Sequence, residues 1–346
     1  MVISAVMTLL TFPTLPTLPT LPNGEQPSAM NRPVTRRAFL GGTVGVAALT
    51  LLAACSGDDD ADNDAATGAS SDSGNQTTRI VALNTGHLDH LLLLGIVPVG
   101  LGVAKSANGD PSGIPDYIYD RFGDTYDLDA IEQVGLRSEP DVEKIATLEP
   151  DLILSNDRAD EALLTQLRAI TTVVTTNGGS ELWKEDLGIL ADAVGKREDA
   201  DGLLATYEKN ASDWAEERGS GAVVSLVRGR NDEYILTGPS SLSGSVVEDA
   251  GLTRPDGQQF TDTANHDLSV ENTDQLDADY LFYSFDGGAE SLTGSVSWSS
   301  LEVVKDGHAY AVDMDAWFLN ASLVAAEYVL DDLEAQDRQL SPAADR

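Results

Sequence analysis

Few residue types in this chain are suited to chemistry, and their spacing narrows what they can do. There are four histidines, one cysteine and a small number of basic side chains against a large excess of acids. His87 and His90 lie three apart at the start of an apolar helix, a spacing that puts two imidazoles on one face and makes a candidate metal pair. The alternative is a capping loop with one histidine exposed and the other half-buried. A zinc or manganese site would draw three or four ligands from histidines and carboxylates. Only His266 and His308 remain, and no histidine-rich loop exists. Cys55 is the single cysteine, so neither an internal disulfide nor a thiolate cluster can form. The chain has no Gly-x-Ser-x-Gly elbow, no His-Glu-x-x-His and no phosphate-cradling glycine loop, so nothing favours catalysis.

The basic residues are more informative. Arg137 sits in Val134-Gly135-Leu136-Arg137-Ser138-Glu139-Pro140. A guanidinium is a rigid fork of donors suited to clustered anionic oxygens. The competing role is a surface ion pair with Glu139 or Asp141. Arg228 and Arg230 follow a predicted strand, where they either meet an anionic ligand or pair with acids such as Asp232 and Glu233.

The formal net charge is -36 over 346 residues. Residues 1–54 hold three arginines and one glutamate, so the chain from Cys55 onward carries -38. Such a chain repels nucleic acid, which needs clustered Lys and Arg, and repels anionic lipid head groups. Membrane attachment must come from elsewhere, and the leader supplies it. Thr35-Arg36-Arg37-Ala38-Phe39-Leu40 is a twin-arginine pattern. The uncharged stretch Ala38–Ala54 is short of the roughly 20 residues a spanning helix needs and suits a signal-peptide core. It ends in Leu52-Ala53-Ala54-Cys55, which resembles the bacterial lipoprotein box, where the cysteine is acylated and becomes the first mature residue. Residues 1–54 are therefore expected to be the signal region. Thr-Leu-Pro repeats at 14–22 forbid a helix there. Translation is expected to begin at Met30, the alternative being an unusually long leading segment. Residues 55–77 are expected to be a flexible, solvated tether, rich in Asp, Ser, Gly, Ala and Asn.

Beyond the tether, strands and helices alternate, which predicts α/β organisation with parallel-type sheets flanked by helices. Strands are predicted at Arg79–Asn84, Pro98–Val103, Glu132–Leu136, Asp151–Ser155 and Thr172–Thr175. Helices are predicted at His87–Leu94, Asp160–Ala169 and after Ser138, with Ser138 as cap and Pro140 in the first turn. Trp183 to about Glu217 reads as mostly helical, with a break at Gly195. Strands then return at Ala222–Val227, Glu233–Leu236, Tyr280–Ser284 and Ala309–Val312, and a last helix spans about Ala321–Ala335. The expected organisation is a lobe at 78–182, a linking helical segment at 183–218 and a second lobe at 219–340.

An internal echo relates the lobes. Val142-Glu143, Leu148 and Asp151 precede one apolar strand, and Val270-Glu271, Leu276 and Asp279 precede another at the same spacing. On that register Asn265 mirrors Arg137, each six residues before its glutamate. In open α/β sheets ligands bind at the carboxyl ends of strands, so the expected site is the cleft between lobes.

The segments RIVALNTGHLDHLLLLGIVPVGLG, VGLRSEPDVEKIATLEPDLIL, LGILADAVGKREDADGLLATY and VVKDGHAYAVDMDAW resemble the iron-siderophore branch of ABC-importer solute-binding proteins, a family that also includes cobalamin and haem binders. The resemblance runs from about Arg79 to Leu333. It implies two α/β lobes joined by one long rigid helix, with little lobe movement. It implies a ferric siderophore as transported ligand, a permease dimer with its ATPase as partner, a monomeric receptor, and no cofactor. It places the Arg137 side chain in the cleft, and the loop Asn84, Thr85, Gly86 and His87 along its wall. Relatives carry arginine near Arg228 and an aromatic near Asn265 and His266, where Phe260 and His266 are the ring-bearing residues. Trp317 matches the family's Asp-x-x-x-Trp ending and either faces the ligand rim or packs the lobe. Tyr117 and Tyr119, in a proline-bounded loop, are weaker candidates. One glutamate per lobe docks on the permease in the family, and Glu161 and Glu290 have that spacing. The alternatives are a haem or cobalamin binder of the same fold and, further off, a zinc or manganese binder.

Overall fold

The computed structural model describes residues 78–340 apart from 105–111, 220, 231–232 and 286–288, and the side chains of 289–290 and 338–340 are not described. The twin-arginine leader, Cys55 and the tether lie outside the described residues.

The first lobe is built on β1 (Ile80–Ala82), β2 (Gly100–Val103), β3 (Glu132–Leu136), β4 (Glu139–Pro140), β5 (Leu152–Asn156) and β6 (Thr172–Thr176), in the order β4-β3-β2-β1-β5-β6. All pairs are parallel except β3 with the edge strand β4. Between the strands run α1 (Thr85–Leu93), α2 (Asp116–Phe122), α3 (Val142–Thr147) and α4 (Glu161–Arg168). The second lobe follows α5 (Trp183–Ala193) and α6 (Arg197–Arg218). Its strands are β7 (Val224–Arg230), β8 (Glu233–Thr237), β9 (Asn265–Leu268), β10 (Tyr280–Ser284) and β11 (Ala309–Ala311), ordered β11-β10-β7-β8-β9. Its helices are α7 (Leu242–Asp249), α8 (Val296–Ser300), α9 (Glu302–Lys305) and α10 (Leu323–Leu340).

The central strands β1, β2, β5, β8 and β10 are covered on both faces and are mostly apolar. Side chains alternate between two cores. Ile80, Ala82, Leu152 and Leu154 face one core, while Val81, Leu83 and Ile153 face another under α3 and α4. In the second sheet Val224, Leu226 and Phe282 join the first of these cores, and Val227 and Leu281 face a third. One continuous core thus runs beneath both sheets, filled by α1, α5, α6, α7 and α10. Trp183 stacks edge-on against Tyr207 at 5.5 Å and donates to Ser245 Oγ at 3.0 Å. Tyr207 donates to Asp249 Oδ2 at 2.9 Å, so the linking segment is fastened to α7.

The linker breaks where expected, at Gly195, whose φ of 68 is a left-handed turn that ends α5 and lets α6 begin. Three expectations are corrected. The cap of α3 is Asp141, whose carboxylate accepts from Lys144 N at 2.9 Å, not Ser138. Pro140 lies in β4 rather than in a helix, at an edge where its missing N–H is harmless. Tyr117 and Tyr119 lie on α2 rather than in a loop. The second sheet also departs from pure parallel pairing, since β8 runs antiparallel to both β7 and β9.

The echo has a physical basis. Asp151 Oδ2 accepts Arg79 N at 2.8 Å, and Asp151 N donates to Arg79 O at 2.8 Å. Asp279 does the same with Val223, at 2.8 and 3.0 Å. Each aspartate therefore locks the entry of its own strand to the strand beside it.

Candidate functional site

The carboxyl ends of β1, β5 and β6, the loop after β3, and the segment from β8 into α7 open on one cleft of about 360 Å³. The first lobe contributes Asn84, Gly86, His87, His90, Arg137, Asn156, Arg158 and Thr176. The second contributes Thr237, Ser241, Leu242 and Asn265. The stretch Trp317–Ala321, which overlaps the π-helical turn Asp315–Leu319, closes one side.

Asn84 caps α1, its side chain accepting from Gly86 N at 2.7 Å. Gly86 allows close approach, because a Cβ there would lie 2.8 Å from Ala321 O. His87 and His90 are both buried, contrary to an exposed and half-buried pair. His87 Nε2 lies 3.0 Å from Thr176 Oγ1, and His90 Nε2 accepts Leu323 N at 3.1 Å. Burial, the dominant effect on each, lowers His87 to about 4 and His90 to about 3, so both are neutral at neutral pH. Beside them Asp89 is raised to about 7 by burial, despite donors from Ser322 and Tyr117. Among the described residues no group of three or more His, Cys, Asp or Glu is placed to hold a metal ion.

Arg137 is exposed and lines the cleft. Its backbone N–H donates to Val103 O at 2.8 Å, and among the described residues its side chain forms no ion pair or hydrogen bond. Asn265, its sequence mirror, lies on the opposite lobe of the same cleft, 3.4 Å from Thr237 Oγ1 through Oδ1. The one carboxylate in the described lining is Asp186, which accepts from Asn177 N, Asn177 Nδ2 and Gly178 N at 2.7 to 2.9 Å. In a chain of net charge -36 the cleft therefore holds two arginines and one well-occupied carboxylate. The N-terminal ends of α1, α7 and α10 also point at it, and their dipoles favour negative charge.

Trp317 packs the lobe and also touches the cleft. Its ring is 1% exposed, stacked on Phe282 at 4.8 Å, and its indole donates to Asp332 at 3.1 Å, yet it reaches the cleft lining. Thr85, Arg228 and His266 are not in the lining. Thr85 is buried and Arg228 is half-buried on β7. His266 stacks on Phe260 at 3.9 Å and pairs with Asp262. Arg230 pairs with Asp267 at 3.2 Å. Tyr117 is buried against Asp89, and Tyr119 donates to Asp129. Neither lines the cleft. Sequence reasoning missed Arg158, Asn156, Thr176 and Ser241. The first three follow from the rule that strand ends carry ligands, applied to β5 and β6.

Comparison with known proteins agrees with the fold. The periplasmic binding protein family matches residues 80–316. The "Probable siderophore-binding lipoprotein YfiY" of Bacillus subtilis is 34% identical over 74% of this chain and 81% of its own. The Fe(3+)-citrate-binding protein YfmC of the same organism is 28% identical over 69% and 74%. The crystal structure of Staphylococcus aureus SirA complexed with staphyloferrin B superposes with a TM-score of 0.64, covering 75% of this chain and 93% of that one at 24% identity, a likeness of fold.

Proposed function

The chain belongs to the periplasmic binding protein family, and from that premise we propose that it captures a ferric siderophore outside the cytoplasmic membrane and delivers it to an ABC importer for iron uptake. The observation that carries this reading is the side chain of Arg137, which has no acidic partner among the described residues and lines the cleft of a strongly acidic chain. Anionic oxygens around a chelated iron would meet a charge-assisted fork there, with the helix ends of α1 and α10 adding to it. Asn84, Gly86, His87, Asn265 and Trp317 form the surrounding wall. Iron arrives wrapped by its chelator, so the buried neutral histidines need not ligate it.

The rest of the assignment extends the same reading. Cys55 is the acylated first residue after twin-arginine export, and it holds the receptor at the outer face of the membrane through the 55–77 tether. The receptor works as a monomer. Glu161, on the first turn of α4, and Glu290, in the 3₁₀ turn Ala289–Gly294, dock on the permease dimer and its ATPase. Glu161 is 77% exposed and paired with Arg168 at 2.7 Å. The Glu290 side chain lies outside the described residues.

The test is a ligand panel read by tryptophan fluorescence, with Trp317 as the reporter in the cleft. Saturable quenching by ferric siderophores is expected. Tight haem binding with a Soret shift, and no response to siderophores, would overturn the reading in favour of a haem receptor.

A further inference from the structure

Arg158 reaches the cleft from the loop that follows β5. Its backbone is fixed: Arg158 N donates to Asn156 Oδ1 at 3.1 Å, Asp157 N to Thr176 O at 2.8 Å, and Ala159 N to Asn156 O at 3.2 Å. Its side chain is held far more weakly. Among the described residues its one ion pair is with Glu181, at 3.7 Å, beyond a good hydrogen bond. The two side chains are 62% and 43% exposed, so the pair is screened and worth little. Glu181 itself folds back against the cleft wall. A Cβ on Gly179, a lining residue, would come within 2.8 Å of the Glu181 carboxylate.

Arg137 and Arg158 stand on either side of α1. In the order β4-β3-β2-β1-β5-β6, three strand spacings separate β3 from β5, about 14 Å of sheet. The N-terminus of α1, with Asn84 and Gly86, opens on the cleft between them. A ligand seated there meets a guanidinium from each side and helix dipole below. A neutral chelate would gain little from that arrangement, whereas one with anionic oxygens on opposite sides would engage both arms.

We infer that Arg158 is a second anion-recognising arm of the cleft, held at rest by Glu181 and released to the ligand, so that the preferred cargo is a ferric chelate with net negative charge spread over opposite faces. The inference rests on the siderophore reading. On binding, the ligand replaces Glu181 as the partner of Arg158. Glu181 competes with the ligand for Arg158, so a chelate must carry enough negative charge to displace it, which sets a threshold against weakly charged chelates.

The experiment measures dissociation constants by tryptophan quenching for the unaltered protein, Arg158→Ala, Glu181→Gln and the double variant. The probes are a trianionic ferric tris-catecholate and a neutral ferric trihydroxamate. Thermal midpoints serve as the folding control, and both sites are exposed enough to tolerate change. Arg158→Ala is expected to weaken the tris-catecholate about tenfold or more and leave the trihydroxamate unchanged. Glu181→Gln is expected to tighten the tris-catecholate, and that gain should vanish when Arg158 is also removed. An unchanged tris-catecholate constant in Arg158→Ala, or an equal loss for both probes, overturns the inference. Binding of the trihydroxamate alone by the unaltered protein overturns it as well, while leaving the siderophore reading standing. Failure to bind either probe and every other ferric siderophore tried overturns that reading and the inference with it.

Discussion

The backbone N–H of Leu323 donates to His90 Nε2 at 3.1 Å, joining the first turn of the last helix to the first helix across 233 residues of chain. The bond fixes the histidine as a neutral imidazole with its proton on Nδ1. One residue away, Ser322 Oγ and Tyr117 OH converge on Asp89 Oδ2. The start of α10 is therefore secured to α1 and α2 by buried polar contacts, and the same junction forms one wall of the cleft.

These buried groups make stability depend on pH in opposite senses. His87 and His90 have folded values of about 4 and about 3, below their ordinary 6.5. The unfolded chain binds protons that the fold refuses, so stability falls as pH drops below 6.5. Asp89 is raised from 3.8 to about 7, so its contribution is present at low pH and is lost as pH rises through that window. Two histidines outweigh one aspartate, giving a net rise of up to about 1.4 kcal/mol per pH unit from these groups. His90→Gln keeps an acceptor for Leu323 N and should flatten the profile, while Asp89→Asn should steepen it. Urea unfolding between about pH 5 and about pH 7 checks both slopes. Parallel profiles in all three proteins would refute the assignment.

Much of the first lobe was legible because its strands and helices follow one another locally and each carries a complete apolar pattern. The strand Glu132–Leu136 and the linker break at Gly195 appear where the sequence puts them. What the sequence hid is decided by distant partners. Nothing near His87 and His90 announces that Thr176 and Leu323 will cover them. The strand Asn265–Leu268 holds three polar residues and exists because β8 offers an edge to pair with. Arg158 reads as one charge in an acidic loop until β5 and β6 bring its turn to the cleft. Trp317 was split between ligand and packing, and the fold buries its ring against Phe282 while the residue still borders the cleft.

The paired aspartates of the two lobes should be energetically equivalent. Asp151→Ala removes an acceptor for Arg79 N, and Asp279→Ala one for Val223 N. Each is expected to cost about 0.5–1.5 kcal/mol, and the double variant should lose the sum, because the sites share no partner. Denaturant midpoints of the two single variants that differ several-fold in cost would show that the echo is one of sequence only.

Gly86 tests how tightly α1 abuts the return of the chain. In Gly86→Ala the added methyl would sit 2.8 Å from Ala321 O, a backbone atom that cannot rotate away. A loss of about 1–3 kcal/mol is expected, as for other overpacked sites. Both residues line the cleft, so ligand affinity should fall with stability. Unchanged unfolding and binding would mean that the two segments have room to part.

The role proposed for Cys55 is tested apart from ligand binding. Cys55→Ser in the full chain should move the protein from the membrane fraction to the medium or soluble fraction, since the mature charge of -38 leaves no basic patch to hold it. Affinity for the ferric ligand should be unaffected. A variant that stays with the membrane would point to another anchor.

Arg137 separates recognition from folding most cleanly. Its side chain is exposed and, among the described residues, partnerless, so Arg137→Ala should shift stability by no more than about 0.5 kcal/mol. The same change removes a guanidinium from the anion-facing wall of the cleft and should weaken the ferric siderophore that quenches best by about tenfold or more. Arg137→Lys should recover only part of that loss, because an ammonium keeps the charge without the two-pronged geometry. Raising salt should erode affinity less in Arg137→Ala than in the parent, as one attractive charge is gone. An Arg137→Ala protein with the parent's dissociation constant and salt dependence would place the ligand elsewhere in the cleft, away from the β3 loop.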